Sequence, residues 1–312
     1  MTDTSPATSA SPASPTAGAA AGPSGVAGAG PVRLADLTTL RVGGPVTDHV
    51  VARSTDAVID AVSSADAAGR PLLVLGGGSN VLAGDGPFDG TVVQVATRGM
   101  VVEADDTCGG VCVRVAAGEP WDDFVAAAVR EGWSGVEALS GVPGSTGATP
   151  VQNVGAYGQE IAHTLARVRV WDRQESRVRT FANADCEFGY RRSLLKDEQL
   201  RGSPRFIVLE VTFLLRDANL SAPVRYAELA RILGVEQGER APLEQVRRAV
   251  LGLRAGKGMV LDDADHDTWS AGSFFTNPVL TAGEADGLPE GAPRYPIGDG
   301  QVKTSAAWLI EN

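Results

Sequence analysis

A wholly apolar run at 71–75 leads straight into Gly76, Gly77, Gly78, Ser79 and Asn80, the first place in the chain where residue types and spacing suggest chemistry. Three successive glycines carry no Cβ, so backbone N–H groups can turn toward an anion, and Ser79 and Asn80 add short donors. The loop therefore suits a diphosphate, although an ordinary glycine turn between strands has the same composition. The spacing is not G-x-G-x-x-G, and no acidic residue is placed to hold a ribose, which disfavours a Rossmann dinucleotide site.

A second glycine-rich stretch runs through Ser140, Gly141, Val142, Pro143, Gly144, Ser145, Thr146, Gly147 and Ala148. It continues in Val151, Gln152, Asn153, Val154, Gly155, Ala156, Tyr157 and Gly158. Such a stretch can line a channel with backbone N–H and C=O groups around a planar or phosphorylated ligand, or be a flexible surface loop. Farther on, Tyr190 and Arg191 lie between two strand-like segments. A guanidinium forks onto a carboxylate or enolate in a way that lysine cannot imitate, with the phenol beside it; a solvated Tyr-Arg pair is the plain alternative. Arg192 points elsewhere if the segment is extended. Finally, Ser273 stands between Gly272 and the pair Phe274 and Phe275. The aromatics would hold its hydroxyl in a partly dry site as a donor to a developing carbanion, or would simply pack a serine at a strand entry.

These residues need a frame. Strands are expected at 49–52, 71–75, 91–95, 111–115, 166–171, 177–181 and 206–213, from apolar runs and alternation between Gly, Asp and Pro punctuation. Helices are expected from Ser54 to Ala68, stopped by Gly69, at 120–131, 226–233 and 243–255, and from Ser305 onward. The opening unit reads as a small α/β layer, the middle as strand-rich, and the last part as a mixed third segment. Residues 1–30 are almost wholly Ala, Gly, Ser, Pro and Thr and are expected to form a disordered tail.

Composition excludes several classes. The 312 residues are 43% apolar, enough for two or three cores, and 27 basic against 38 acidic side chains leave a net charge of -11. No Lys/Arg-rich run exists to track a nucleic acid or an anionic membrane. No apolar run is long enough to span a bilayer, and no secretory leader precedes the chain, so a cytoplasmic protein is expected. Cys108, Cys112 and Cys186 lack a metal-ligating pattern, so no metal is expected and they read as reduced thiols.

Taken in order, LGGGSNVL, PVQNVGAYG, FGYRRS, GSFFTNP and GQVKTSAAWLIE resemble the UDP-N-acetylenolpyruvoylglucosamine reductase (UDP-N-acetylmuramate dehydrogenase) family, from about Thr38 to Asn312. The resemblance implies an α+β fold with two FAD-binding subdomains of the vanillyl-alcohol-oxidase (PCMH) type, at 31–98 and 99–219. A C-terminal α/β substrate domain would occupy 220–312. It implies FAD as cofactor, NADPH as hydride donor, and reduction of UDP-N-acetylglucosamine enolpyruvate to UDP-N-acetylmuramate for peptidoglycan, by a monomer without nucleic-acid or membrane partners. By the same match, Arg191 polarises the substrate carboxylate and Ser273 protonates C2. Gly76–Asn80, Ser140, Gly141, Pro143, Gly144, Gly147, Ala148, Asn153, Gly155 and Tyr157 contact the cofactor, namely Gly76, Gly77, Gly78, Ser79 and Asn80 in the first loop. Tyr190, Tyr226, Lys257, Asn277 and Gln301 contact the substrate, with Lys303 in the same matching segment as Gln301. Lys257, between Gly256 and Gly258, can meet a phosphate or be merely solvated.

Family members continue past the WLIE helix and add a glutamate that completes a trio with Arg191 and Ser273. The third domain is accordingly expected to be truncated here, with an exposed sheet edge. Two other readings are a non-catalytic FAD- or UDP-sugar-binding protein and a different flavin oxidase of the same superfamily. The His or Cys that would attach a covalent flavin is not evident near 76–82.

Overall fold

Parallel neighbouring strands must be joined by a long crossover, usually a helix, and this requirement shapes the first layer. In the computed structural model, which describes residues 31–106 and 110–312, β1 (Val46–Ala52) passes through helix α1 (Thr55–Ala67) to β2 (Leu72–Leu75). Ser54 caps α1, its hydroxyl accepting the Ala57 N–H at 3.1 Å, and Gly69 follows at φ +65°. From β2 the chain reaches β3 (Phe88–Val95) with no helix, and the three strands lie parallel in the order β1-β3-β2. Residues 76–87 make this second crossover. The glycine loop is its first part.

The second layer is an antiparallel sheet. Strands β4 (Met100–Asp106), β5 (Gly110–Ala116), β6 (Leu165–Asp172), β7 (Arg177–Ala182) and β8 (Phe206–Asp217) lie in the order β7-β6-β8-β5-β4. β5 buries Val111, Val113 and Val115 and turns Arg114 outward. Helix α2 (Trp121–Arg130) covers the buried face with Trp121, Phe124, Val125 and Ala128, the i, i+3, i+4, i+7 spacing of an amphipathic helix. The Trp121, Phe124 and Phe213 rings cluster there, Phe124 and Phe213 with centroids 4.8 Å apart. On the opposite face Glu103, Arg114, Arg167, Arg169 and Glu210 form a lattice of ion pairs.

Helices α3 (Ala227–Leu233) and α4 (Leu243–Ala255) share a cluster of Val224, Leu229, Ala230, Val246 and Val250 with Ala138. A small antiparallel sheet follows, with β9 (Val279–Thr281), β10 (Tyr295–Ile297) and β11 (Gln301–Lys303) in the order β9-β11-β10. Helix α5 (Ala306–Glu311) is capped by the Ser305 hydroxyl. Residues 31–312 form one compact unit. Cys112 and Cys186 are free thiols, and burial, with Asp185 nearby, pushes the Cys186 thiol up to about 11. Cys108 and the tail at 1–30 lie outside the described residues.

Two buried ionic groups fasten the fold, one tying α1 to the second layer and one within that layer. Arg173, its side chain 1% exposed, forks onto Asp66 of α1 at 2.9 and 2.6 Å while also donating to Ser203 and Pro204. Asp172, fully buried, receives Arg205 and Arg179 and the N–H groups of Gln174 and Glu175. Burial alone would raise its carboxyl, but the arginine hydrogen bonds prevail and hold it at about 2. Removing one partner of a buried pair strands the other charge, so Asp66→Ala is expected to lower unfolding free energy in urea by about 3 kcal/mol. For Asp172, a folded value below the ordinary one means stability that is complete above about pH 4 and lost as pH falls toward 2. Asp172→Asn should flatten the acid limb of the stability–pH curve in that window.

Candidate functional site

The glycine loop is held by backbone packed against backbone. A Cβ on Gly76 would lie 2.0 Å from the Ser145 hydroxyl, one on Gly77 2.8 Å from the Gly144 Cα, and one on Gly78 2.0 Å from the Leu37 carbonyl. The glycines are thus required by the protein's own packing, Gly77 and Gly78 by backbone at 144 and 37–38 and Gly76 by the Ser145 side chain, not only by access for a ligand. Gly78 is also at φ +65°. The Ser79 hydroxyl donates to the Pro143 carbonyl at 3.1 Å, Asn80 Nδ2 to Gln152 at 3.1 Å, and Thr39 N–H to the Gly78 carbonyl at 3.2 Å. The N–H groups of Gly77, Gly78, Ser79 and Asn80 meet no acceptor among the described residues. A loop whose donors are left over in this way suits an anionic group.

Residues 132–158 are not the slack segment their composition allows. They fold into short 3₁₀ turns at Glu137–Leu139 and Thr146–Ala148 and a tight pair, Gly155–Ala156 with Gln159–Glu160. The reason is a strand-like docking on 117–121: Thr146 N–H bonds the Glu119 carbonyl, Gly147 N–H that of Ala117, and Trp121 N–H that of Gly144. Trp121 Nε1 holds the Leu139 carbonyl at 3.0 Å. Several residues expected at the cofactor also make contacts within the protein here. The buried Ser140 hydroxyl donates to the Glu137 carbonyl, the Gly141 N–H goes to Asp122 at 2.6 Å, and Gly147 lies against Ala117. Ala148 is exposed beside them.

Arg191 is not on an extended strand. Gly189 and Arg192 exchange backbone hydrogen bonds around a tight turn with Tyr190 and Arg191 at its tip, Arg191 at φ +57°. Its Nη1 and Nη2 donate to the carbonyls of Asn153 (3.2 Å) and Gly155 (2.9 Å), which aims the guanidinium without neutralising it. Asn153, buried at φ +45°, spends its amide on Glu160 and the Gly189 carbonyl and accepts the Ala162 N–H. It positions the arginine turn. The Tyr190 hydroxyl accepts the Asn277 N–H at 3.3 Å, Lys303 Nζ sits 4.8 Å from the Tyr190 ring centre, and Asn277 Oδ1 accepts the Ala306 N–H. Tyr190, Arg191, Asn277 and Lys303 are therefore brought together. Arg192 points away and pairs with Asp197.

Ser273 departs from expectation. It is exposed and makes no hydrogen bond among the described residues, and Phe274 and Phe275 are 76% and 59% exposed, so no dry pocket surrounds it. The two rings meet edge to face at 5.1 Å rather than entering a core. The segment is nevertheless tethered near the glycine loop: Thr39 Oγ1 donates to the Ser270 carbonyl at 2.9 Å, and Arg41 pairs with Asp263 and lies 3.9 Å from the Trp269 ring centre. Tyr157, at φ +47°, meets Tyr226 edge to face at 5.3 Å, and burial pushes its phenol up. Lys257 is not free but bonds Glu228 at 3.1 Å. Gln301 is exposed on β11.

Two positioning groups carried no sequence signal. Glu137 is fully buried and accepts from the Gly135 N–H, Gln159 and the Ala222 N–H, tying the third segment to the second layer. Asp122 forks with Arg247 at 2.7 Å while holding Gly141. Burial would raise its carboxyl, but Arg247 and the Gly141 N–H bring it below the ordinary value.

Residues 49–181 match a family model described as an FAD binding domain. The UDP-N-acetylenolpyruvoylglucosamine reductase of Cutibacterium acnes is 56% identical over 271 residues, covering 87% of this chain and 70% of its own. That of Thermobifida fusca is 55% identical over 281 residues, covering 86% and 77%. The crystal structure of UDP-N-acetylenolpyruvylglucosamine reductase from Thermus caldophilus is similar at a TM-score of 0.52 and 28% identity, over 79% of this chain and 74% of that one. FAD fits the leftover donors of 77–80. Because a methyl group at 77 would part the two loops, Gly77→Ala is expected to weaken flavin binding roughly tenfold, read by titrating apoprotein with FAD.

Proposed function

We infer the reaction from a premise of kinship, since the chain belongs to the UDP-N-acetylenolpyruvoylglucosamine reductase family. It is an FAD-dependent oxidoreductase that reduces the enolpyruvyl ether of UDP-N-acetylglucosamine to UDP-N-acetylmuramate in peptidoglycan synthesis, with NADPH as donor. Bound FAD supplies the hydride chemistry. The chain's own residues must hold the substrate, stabilise the charge that develops toward its carboxylate, and deliver one proton.

The observation that carries the assignment of roles is the Arg191 guanidinium. It is oriented by two backbone carbonyls, has no carboxylate partner among the described residues, and sits beside Tyr190. A cation held without neutralisation is a ready receptor for the enolpyruvyl carboxylate, and it stabilises charge more in the enolate-like transition state than in the ground state. Ser273 delivers the proton to C2. A serine hydroxyl is a weak acid, so its placement must serve the transfer, and its exposure here means that substrate itself completes the dry surroundings. Tyr190 and Asn277 flank the acidic end of the substrate, and Tyr226 with Lys257 serves its diphosphate, Lys257 exchanging Glu228 for phosphate. Gln301 is a further substrate contact. The glycine loop and 143–145 hold the cofactor diphosphate, with Gly155 and Tyr157 farther along it.

In the same proposal, residues 31–98 and 99–219 are the two cofactor-binding subdomains and 220–312 the substrate-binding part. The enzyme acts as a cytoplasmic monomer. Replacing Ser273 with Ala should leave reduction of the flavin by NADPH nearly intact while slowing oxidation of the reduced flavin by substrate about 10²- to 10⁴-fold, the usual contribution of a general acid. Anaerobic stopped-flow of the two half-reactions separates them; an equal loss in both would remove Ser273 from the proton-donor role.

A further inference from the structure

Arg254 lies in the last turn of α4 with an unusual set of partners. Its Nη2 donates to the Met259 carbonyl at 2.9 Å, while its Nε is buried and meets no acceptor among the described residues. Nη1 has no acceptor either and, unlike Nε, is not among the buried unpaired atoms, so it opens toward solvent. No carboxylate lies within ion-pair distance among the described residues: the near acid, Asp122, is already forked by Arg247, and the neighbouring Lys257 holds Glu228. In a chain of net charge -11, a half-buried guanidinium left without an anion is a conspicuous vacancy of charge. Burial accordingly pulls it below the ordinary arginine value, opposed by Tyr157 and Asp122.

Its location narrows the ligand. Nε packs against Gly141, where a Cβ would stand 3.5 Å away, and Gly141 is two residues from Pro143, the carbonyl that holds Ser79 of the glycine loop. The charge of Arg254 is felt by Tyr157, which meets Tyr226 edge to face. Arg254 thus stands against the 140–145 stretch that supports the glycine loop, three residues before Lys257. We propose that Arg254 is a diphosphate ligand, its Nη1 donating to a phosphate oxygen that the rest of this region is shaped to receive. The inference rests on the reductase reading, in which two diphosphates are available, that of FAD and that of the UDP-sugar. A guanidinium suits either, being planar, permanently charged and weakly hydrated.

The test uses Arg254→Met, which keeps the stem against Gly141, and Arg254→Lys, which keeps the charge. Apoprotein is titrated with FAD and with riboflavin, and FAD-loaded protein with UDP and with uridine. Loss of a charge-assisted hydrogen bond should weaken one of the two diphosphate ligands roughly tenfold to a hundredfold in the Met variant, with partial recovery in the Lys variant. Riboflavin and uridine, which lack the diphosphate, should bind as they do to wild type. A loss confined to FAD assigns the cofactor diphosphate, and one confined to UDP assigns the substrate's. Unchanged affinity for both, or equal loss with and without the diphosphate, overturns the proposal. Wild-type protein that binds neither FAD nor UDP would instead defeat the reductase reading, and this inference with it.

Discussion

Gly76 and Gly77 approach Ser145 and Gly144 so closely that neither glycine can carry a side chain, and the rest of the site is arranged around that contact. Such an approach leaves N–H groups in excess on one side, because two backbones packed through their Cα atoms do not pair as a ladder does. The surplus has no acceptor among the described residues. Keeping the two stretches together takes outside support, and the structure supplies it from opposite directions: Thr38 and Thr39 behind the first loop, and the 117–121 turn behind the second. Trp121 serves in both roles, closing the aromatic core and holding the chain where it enters 140–145.

The surroundings of Arg191 follow a different rule, in which buried polar groups are satisfied while one nearby cation has no carboxylate partner among the described residues. Asn153 uses its amide on Glu160, Gly189 and Ala162, and thereby fixes the turn that carries Arg191. Glu137 consumes three donors and pins Gln159 and Ala222. Fully paired networks of this kind are rigid, since any displacement exposes an unpaired group in a low-dielectric interior. Arg191 inherits that rigidity and gives its charge outward.

Local periodicity made much of the frame legible. Helix α4 spans the residues its apolar spacing predicts, Leu243–Ala255, and α1 stops beside Gly69 as a glycine terminator requires. Strand β4 escaped notice because it is an edge strand whose Met100, Val101 and Val102 are all exposed, so no alternation marks it. The glycine motifs announced themselves, but their physical reason lay in partners far along the chain. Glu137 meets Ala222 across 85 residues and Asp122 meets Arg247 across 125. No window of sequence contains both ends of such a bond. The dryness expected around Ser273 failed for a related reason: aromatic neighbours in sequence predict a core only when another element covers them.

Asn153, Tyr157 and Arg191 share one further property, a positive φ without being glycine. Each is held in a conformation that costs on the order of 1 kcal/mol for a residue with a Cβ, and each side chain is engaged, Asn153 with Glu160 and Gly189, Arg191 with two carbonyls and Tyr157 with Tyr226. Glycine would relax the backbone at all three places and remove those contacts, including the two that aim the proposed carboxylate receptor. Selection for heat resistance alone would therefore drift this region toward a better-folded protein without the proposed receptor, so these three positions set backbone stability against the proposed activity.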